Sequence, residues 1–382
     1  MSIVALVRCE SYEYNEVKKA VEKGLDLLGG VSRFSKEGDK ILLKPNLVAA
    51  DPPERCSTTN NIVFKAVAEA FVNTGAIVKY GDSPGVHSPE YAARKAKIEE
   101  AANEVGIEIA DFHNGQEVFF EEGIQNKRFI IANGVVESDG LISISKFKAH
   151  GFAGITGAVK NQFGCIPGPL KGEFHAKITD STLFAKMLVD INNLIKPRLY
   201  IMDAVYAMEG NGPRSGRPRK LNLLLFSEDP VAIDSTACRI INLNPEYVPT
   251  IVYGKEGGLG TYLQEEIQLV GDDINSFYAP DFDVKREPVR PFKQSGAIRL
   301  LKNALVPKPH IFSSKCVKCG VCVSVCPVKP KAVNWHDGIK DKPPTYVYNR
   351  CIRCFCCQEL CPEGAIELKV PALRKIFKRY KY

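Results

Sequence analysis

Eight cysteines near the carboxyl terminus form two copies of one spacing, C-x2-C-x2-C-x3-C-P. Such a run supplies four thiolates, which is what a cubane 4Fe-4S cluster requires. Zinc sites use paired C-x2-C knuckles with longer gaps, and disulfides require an oxidising compartment. The spacing therefore predicts a small cysteine-rich domain that holds two 4Fe-4S clusters. The expected ligands are Cys316, Cys319, Cys322, Cys326, Cys351, Cys354, Cys357 and Cys361.

Each cysteine run is closed by a proline, and residues 311–370 as a whole resemble the bacterial two-cluster ferredoxin domain. In that domain the fourth cysteine of each run ligates the other cluster. The resemblance thus implies a crossed assignment, with Cys361 completing the first set and Cys326 completing the second. Cys356 is an additional thiol that breaks no spacing, and we expect it to fill space beside a cluster.

The rest of the composition indicates where such a protein works. No apolar run is long enough for a signal peptide or a membrane helix. Thirteen cysteines without a secretory segment favour a reducing cytoplasm, and we expect a cytoplasmic protein of an anaerobe or thermophile. The sequence does not determine the oligomeric state.

Positive charge is concentrated around the cysteines. Residues 281–382 contain 21 Lys and Arg against 8 Asp and Glu, whereas residues 1–280 contain 30 against 36. A positive field attracts acidic proteins, so we expect an acidic ferredoxin or an oxidoreductase as the redox partner. Nucleic acid is disfavoured as a partner, because the basic residues form no aromatic-rich binding motif.

Upstream of the cysteines, segments with strand and helix periodicity alternate, as in α/β proteins. The expected strands are 3–7, 40–43, 76–80, 107–110, 128–132, 140–145, 199–203 and 221–226. The expected helices are 14–28, 58–73, 89–105, 180–195 and 230–241.

These segments predict an α/β domain over residues 1–275, with a mainly parallel mixed sheet and flanking helices. A small α+β ferredoxin-like domain with two clusters is expected at 311–370. Between them, residues 276–310 are rich in proline and have no sustained period, so we expect a linker. The last residues, 371–382, form a basic tail.

Polar residues follow the expected strands, and strand ends are where open α/β sheets bind ligands. The candidates at strand ends are Lys44, Asn46, Asp82, Ser83, Lys146, Lys148, His150 and Asp203. Further candidates lie in a Gly-rich segment and in the loop after Asp203, namely Lys160, Asn161, Asn211 and Arg214.

Convergence of these cations would suit a phosphate or a carboxylate, and nearby glycines would let backbone amides approach it. We therefore expect a small anionic substrate or an unidentified anionic cofactor. Lys148, His150 and Lys160 are the catalytic candidates. Neither a dinucleotide fingerprint nor a P-loop is present among the glycines.

A metal site is an alternative use of part of this region. His150 and His175, with Cys165 between them, could bind a metal or transfer protons. The other interpretation is that Cys165 is a buried apolar residue and each histidine is simply hydrogen-bonded. Cys9, Cys56 and Cys238 are expected to be structural.

Residues 3–275 resemble the large family catalogued as domain of unknown function 362. The motifs that carry the resemblance are Lys44-Pro45-Asn46, Gly81-Asp82-Ser83-Pro84-Gly85, Lys146-x-Lys148-x-His150, Thr156-Gly157-Ala158-Val159-Lys160-Asn161, Met208-Glu209-Gly210-Asn211-Gly212-Pro213 and Asp229-Pro230-Val231-Ala232-Ile233-Asp234. Members of the family often carry a two-cluster ferredoxin module. The resemblance implies architecture and candidate residues but no substrate, because the family's reaction is not established.

Three functions are compatible with these features. The leading one is a redox protein that passes low-potential electrons between the clusters and an anion site on the α/β domain, as a ferredoxin-dependent oxidoreductase would. The second is a non-enzymatic electron carrier or adaptor that docks a partner oxidoreductase or transfers clusters. In the third, the clusters are structural and the α/β domain is a redox-neutral enzyme.

Overall fold

Two compact units make up the protein. The computed structural model describes residues 1–151, 153–178, 180–289 and 307–369. The large unit comprises Met1–Gly168 and Ala185–Val289, and the small unit comprises Pro169–Phe184 with the described residues after 306.

The large unit continues beyond the expected boundary at residue 275. Phe282, inside the expected linker, is fully buried and stacks on Phe147 with ring centroids 6.0 Å apart. Arg286 donates hydrogen bonds to the carbonyls of Ile241 and Phe282. These contacts hold residues 276–289 in the large unit, although their sequence shows no helix or strand periodicity. The rest of the expected linker between 290 and 306, and the basic tail at 371–382, lie outside the described residues.

Within the described residues, nine strands form one sheet in the order β11-β1-β10-β9-β7-β2-β3-β4, with β8 paired to β7. These strands are β1 (Ser2–Arg8), β2 (Lys40–Pro45), β3 (Ile77–Tyr80), β4 (Glu108–Ile109), β7 (Gly140–His150), β8 (Gly154–Thr156), β9 (Leu199–Glu209), β10 (Arg217–Ser227) and β11 (Ile267–Gly271). A separate hairpin is formed by β5 (Gly115–Phe119) and β6 (Arg128–Ala132).

The pairing is parallel from β4 through β3, β2 and β7 to β9. Strand β10 runs antiparallel to both β9 and β1, so β1 points the same way as β9. The carboxyl ends of β1, β2, β3, β7 and β9 therefore lie at one edge of the sheet. This mixed, mainly parallel sheet with flanking helices confirms the expected fold class.

Helices cover both faces of the sheet. The described helices before residue 290 are α1 (Tyr14–Leu27), α2 (Asn61–Val72), α3 (Pro89–Lys95), α4 (Ile98–Val105), α5 (Asn133–Val136), α6 (Ala158–Asn161), α7 (Gly168–Lys177), α8 (Ser181–Ile195), α9 (Pro230–Ile240) and α10 (Pro249–Glu256). Of these, α7 from Pro169 onward and α8 as far as Phe184 belong to the small unit. Short 3-10 helices occur at Val31–Arg33, Pro53–Arg55, Gln162–Cys165, Pro245–Tyr247, Gln264–Glu266 and Ile274–Phe277.

One core lies between the sheet and helices α1, α2 and α4. Val17 and Val21 of α1, four residues apart on one helical face, pack there with Ile201 of β9. The neighbouring strand residue, Met202, points to the opposite face because side chains alternate along a strand. A Cβ on Gly157, just before α6, would lie 3.0 Å from Met202, which places α6 on that second face.

Several elements differ in extent from the sequence expectation. The expected helix at 89–105 is two helices, because Lys97 takes a left-handed conformation with φ +57°. The expected helix at 58–73 begins later, at Asn61, where the Asn60 side chain accepts the Ile62 amide hydrogen and caps the first turn. Among the described residues, no helix is both long enough and apolar enough to cross a bilayer.

Between residues 307 and 369, the small unit has two antiparallel strand pairs and two short helices. The pairs are β12 (Lys308–Ile311) with β15 (Ile366–Lys369), and β13 (Val333–Asn334) with β14 (Thr345–Tyr346). The helices, numbered on in chain order, are α11 (Val321–Ser324) and α12 (Cys356–Glu359), and a 3-10 turn lies at His336–Gly338. This arrangement matches the expected α+β ferredoxin-like architecture.

Candidate functional site

Most of the polar residues expected at strand ends lie at the carboxyl edge of the large sheet. Lys44 ends β2, Asp82 follows β3, and Lys148 lies near the end of β7. Asp203 is not at a strand end, because β9 continues to Glu209; it pairs in register with Lys146. Their side chains form hydrogen bonds and ion pairs with one another, so the edge holds a buried polar network.

Lys44 and Asp82 form an ion pair in this network. Their Nζ and Oδ1 atoms are 2.8 Å apart, and both residues are almost fully buried. The other carboxylate oxygen of Asp82 accepts the Leu47 amide hydrogen at 2.6 Å. A Cβ on Gly164 would overlap the Asp82 carboxylate, so only glycine fits there. The pair therefore joins β2, β3 and the segment after α6.

Lys148 occupies the centre of the network. Its ammonium nitrogen donates to Asn46 Oδ1 at 2.6 Å and to the Ser57 carbonyl at 2.6 Å. Asn46 Nδ2 donates to Asn161 Oδ1 at 3.3 Å, and Asn161 Nδ2 donates to Ser143 Oγ at 2.9 Å. Three of the predicted site residues, Asn46, Lys148 and Asn161, are thus brought together.

Burial lowers the pKa of Lys148 well below its usual value, and the nearby charges of Lys160 and Lys146 lower it further. Lys148 is 1% exposed, so its ammonium group receives little stabilisation from water. Burial of this kind favours the neutral amine over the ammonium form. A neutral amine can accept a proton, which an ordinary surface lysine cannot.

Lys146 belongs to a second cluster that includes a tyrosine not expected from the sequence. Its Nζ donates to Asp203 Oδ2 at 2.9 Å and to the Tyr12 hydroxyl at 2.7 Å. The Tyr12 hydroxyl donates to Asp203 Oδ1 at 2.9 Å, and the Asn60 amide donates to Asp203 Oδ2 at 3.0 Å. Tyr12 comes shortly after β1, so the strand-end rule applied to the first strand would have identified it.

Arg214 forms a two-pronged ion pair with Asp51. Its Nε and Nη2 atoms lie 2.7 Å from the two carboxylate oxygens, and both residues are buried. Ser57 Oγ donates to the same carboxylate at 3.0 Å. The sequence pointed to Arg214 as an anion ligand but did not identify Asp51, the anion that it contacts in the structure.

The remaining candidates lie around this network. His150 is the last residue of β7, is 3% exposed and accepts the Ala153 amide hydrogen at Nδ1. The Ser83 amide donates to the Gly164 carbonyl at 3.2 Å. Lys160 on α6 is half-buried, and Asn211 in the loop between β9 and β10 is half-buried.

Asp234 is a buried carboxylate whose role the sequence did not assign. It accepts the amide hydrogens of Ala158 at 2.6 Å and Val159 at 3.2 Å, at the start of α6. Burial raises the pKa of Asp234 to about 7 although both hydrogen bonds act in the opposite direction. Asp234 therefore holds the amino end of the helix that carries Lys160 and Asn161.

Burial disfavours the thiolate form of two cysteines of the large unit. Burial raises the pKa of Cys9 to about 12 and raises that of Cys238 well above its usual value. Cys165 is fully buried, and His175 of the small unit stacks on Phe184. In the described part of the chain, no group of three or more His, Cys, Asp or Glu side chains is arranged to hold a single metal ion.

The two cysteine runs of the small unit form a structural repeat. The second copy follows the first by 35 residues, from Cys316 to Cys351, and α12 follows α11 by the same interval. Positive φ angles occur at matching positions, at Lys318 (60°) and Arg353 (64°) and again at Gly320 (78°) and Phe355 (62°). Both runs therefore wrap in the same loop conformation before a short helix.

The first three cysteines of the first run meet Cys361 of the second run around one cavity. Its lining includes Cys316, Cys319, Cys322 and Cys361. All four are free cysteines. Burial, together with the charges of the other three thiols, raises the pKa of Cys322 to about 12. Four convergent thiols fit the needs of a 4Fe-4S cluster, and they are the crossed set expected from the sequence.

The second set is described by the contacts of Cys357 and Cys326. Burial raises the pKa of Cys357, and the charges of Cys354 and Cys351 act in the same direction. The Tyr346 hydroxyl donates a hydrogen bond to Cys357 Sγ at 3.1 Å. Cys326 Sγ accepts the Ala332 amide hydrogen at 3.4 Å. Ligation of clusters by these eight thiols stays a prediction, and the convergence of the first set supports it.

Comparisons with known proteins match both units. Residues 41–239, about half of the chain, match the family described as Domain of unknown function (DUF362). Residues 308–362 match the 4Fe-4S dicluster domain. The thylakoid-associated protein sll1697 of Synechocystis sp. is 34% identical over 257 residues, which are 67% of this chain and 79% of that protein.

Two solved structures are similar at low sequence identity. The lactate racemase apoprotein from Thermoanaerobacterium thermosaccharolyticum is 13% identical with a TM-score of 0.40, over 63% of this chain and 57% of that one. A protein from Thermotoga maritima is 13% identical with a TM-score of 0.38, over 61% and 60%. The chain thus spans less than two thirds of the length of either. By its motifs and its match over about half its length, this chain belongs to the DUF362 family and carries a 4Fe-4S ferredoxin-like domain.

Proposed function

We propose that this protein passes low-potential electrons between two 4Fe-4S clusters and an anionic substrate or cofactor at the carboxyl edge of the large sheet. Bound clusters supply one-electron transfer. The observation that carries the proposal is the cavity lined by Cys316, Cys319, Cys322 and Cys361. Its redox partner would be an acidic ferredoxin or oxidoreductase, and its setting a reducing cytoplasm.

In the large unit, we propose that Lys160 binds the anion and that Lys148 exchanges a proton with it. The positive charge of Lys160 lowers the pKa of Lys148. Lys160 makes no ion pair with another described residue. An anion placed near Lys160 would reduce this repulsion and raise the pKa of Lys148 toward its usual value. Lys148, once neutral, would take a proton from the bound molecule, and His150 lies two residues further along the same strand.

Anaerobic purification with iron and sulfide analysis, followed by EPR during a redox titration, tests the cluster part. We expect roughly eight irons per chain, the content of two cubane clusters, and signals of interacting reduced clusters. Half that content in intact protein would contradict the two-cluster assignment. Small molecules released from the purified protein should be identified by mass spectrometry.

Replacing Lys160 with Gln tests the anion part. This side chain is half-buried and lies outside the hydrogen-bonded network, so the fold should be retained. We expect Lys160→Gln to bind inorganic phosphate or the co-purified anion at least tenfold more weakly, measured by calorimetry on the iron-loaded protein. Lys36→Gln, at an exposed position, is the matched control and should bind as the wild type does. Equal affinity in all three proteins would contradict an anion site at Lys160.

A non-enzymatic electron carrier or adaptor is the second candidate function. Lys44, Lys146 and Lys148 are at most 1% exposed, and each donates to acceptors of this same chain. Lysines paired in this way can simply hold the strands together. If so, Lys148→Met should leave electron transfer to a partner unchanged, provided that iron content is normal; loss of transfer in that variant would favour the enzyme.

A further inference from the structure

The two cysteine loops share one conformation but differ in exposure. In the first loop, Val317 is 61% exposed, and Lys318 and Cys319 are exposed as well. At the matching positions of the second loop, Arg353 is 5% exposed and Cys354 is half-buried. The difference continues into the helices, where Ser324 is exposed and its counterpart Glu359 is 8% exposed.

Sequence alone makes the two runs equivalent, since their spacing and backbone match. Exposure distinguishes them in a way that matters for redox chemistry, because electrons pass efficiently only over short distances. A soluble protein can approach Cys319 closely, whereas Cys351 and Cys357 are 7% and 8% exposed. The first loop is thus the more accessible of the two.

Charge indicates what kind of protein fits this loop. Lys318 projects from its centre and makes no ion pair with another described residue. Residues 307–369 contain ten Lys and Arg against five Asp and Glu, so the unit as a whole is basic. Beside Lys318, the exposed Val317 offers an apolar contact. Apolar centres with charged rims are typical of transient interfaces, in which the rim charges set the association rate.

We propose that the loop from Cys316 to Gly320 is the surface on which a soluble acidic electron-transfer protein docks. The proposal rests on the redox function proposed above. The reduced acidic protein gives up one electron and is oxidised, and this protein is reduced by one electron at the site bounded by Cys316, Cys319, Cys322 and Cys361. The site that includes Cys351 and Cys357 then exchanges electrons only inside the protein.

Charge reversal on the iron-loaded protein tests the docking surface. The probe is a small acidic two-iron ferredoxin, and its affinity is measured at low and high salt. We expect Lys318→Glu to weaken binding roughly tenfold at low salt, with the difference shrinking as salt screens the charges. Lys340→Glu is the matched control, because Lys340 is an exposed lysine of the same unit outside both cysteine loops. We expect its affinity to change less than twofold.

Three results would contradict the proposed docking surface. The first is no binding of the probe by the wild type, and the second is an equal loss of probe affinity in both variants. The third is self-association that Lys318→Glu abolishes while probe binding persists. Iron and sulfide content and reduction by dithionite are measured on the same samples. Dithionite needs no docking surface, so failure of reduction by dithionite would count against the redox function itself. Normal reduction with unchanged probe binding in Lys318→Glu would count against the docking surface alone.

Discussion

Asp229 and Asp234 show how a family motif can be structural at the level of single residues. Asp229 accepts the amide hydrogens of Val231 and Ala232 and caps α9. From the same helix, Asp234 caps α6, a different element. Carboxylates are favoured at helix amino ends because the free amide hydrogens there carry partial positive charge. The motif therefore ties α6, and with it Lys160, to α9.

The raised pKa of Asp234 gives a prediction with a definite sign. The unfolded carboxyl has a pKa near 4 and the folded one has a pKa of about 7, so the folded state binds the proton more tightly. The contribution of Asp234 to stability should be greatest below pH ~4 and fall, by on the order of a few kcal/mol, as the pH rises to ~7. Asp234→Asn cannot ionise and should lack this decline.

Urea unfolding of both proteins at pH 4, 5, 6 and 7 measures the effect. The side-chain amide that this substitution introduces can replace only one of the two hydrogen bonds, which should cost the variant a constant amount at every pH. The informative quantity is the difference in unfolding free energy between the proteins. A difference that does not change with pH would show that Asp234 is ionised throughout this range.

Residue identities at the site were predictable, whereas their partners were not. The strand-end rule found Lys44, Asn46 and Lys148, because parallel strands bring their carboxyl ends to one edge. It did not find Asp51, which binds Arg214, because it follows no expected strand. Which carboxylate neutralises which cation depends on side-chain distances across elements, and a single sequence does not carry those distances.

At the scale of elements, β7 illustrates where periodicity was misjudged. The expected strand ended at residue 145, yet β7 runs to His150. Lys146, Lys148 and His150 are alternate residues, which is the strand period, and all are at most 3% exposed. Polar residues ordinarily indicate the end of a buried strand. In β7 they continue the strand, because the polar network at the edge of the sheet satisfies them.

Gly164 is predicted to be essential to the packing of the segment after α6 against β3. A methyl group there would overlap the Asp82 carboxylate and lie 2.6 Å from Lys44 Nζ. Gly164→Ala should therefore destabilise the protein by about 1–3 kcal/mol, the usual cost of overpacking. Chemical denaturation monitored by far-UV circular dichroism would measure it.

Gly172 supplies the control for this substitution. It lies in α7, and a Cβ there would meet no atom within 4 Å. Since alanine loses less backbone entropy than glycine in a helix, Gly172→Ala should be neutral or stabilising by ~0.5–1 kcal/mol. An equal effect of both changes on the free energy of unfolding would contradict overpacking at Gly164 and mean that Asp82 can move aside.

At the scale of the whole molecule, the two units differ in how they can be stable. The large unit has a continuous core of aliphatic and aromatic residues between its sheet and helices. Among the described residues of the small unit, the core cluster contains seven buried residues, and three of them are the cysteines Cys322, Cys357 and Cys361. A core built partly from proposed metal ligands depends on the metal for its folding energy.

Removing the clusters should therefore unfold the small unit and leave the large one folded. We expect amide hydrogens in β12, β13, β14 and β15 to lose their protection from exchange when iron is removed with a chelator. Those in β9 and β10, which are central in the sheet, should keep theirs, because their hydrogen bonds and core do not involve the cysteines. Hydrogen exchange measured by mass spectrometry resolves both sets in one sample.

A Cys354→Ser variant, which removes one proposed ligand without a chelator, should give the same pattern. Loss of protection in β9 at the same rate as in β12 would contradict separate cores, and full protection everywhere would contradict a metal-dependent small unit.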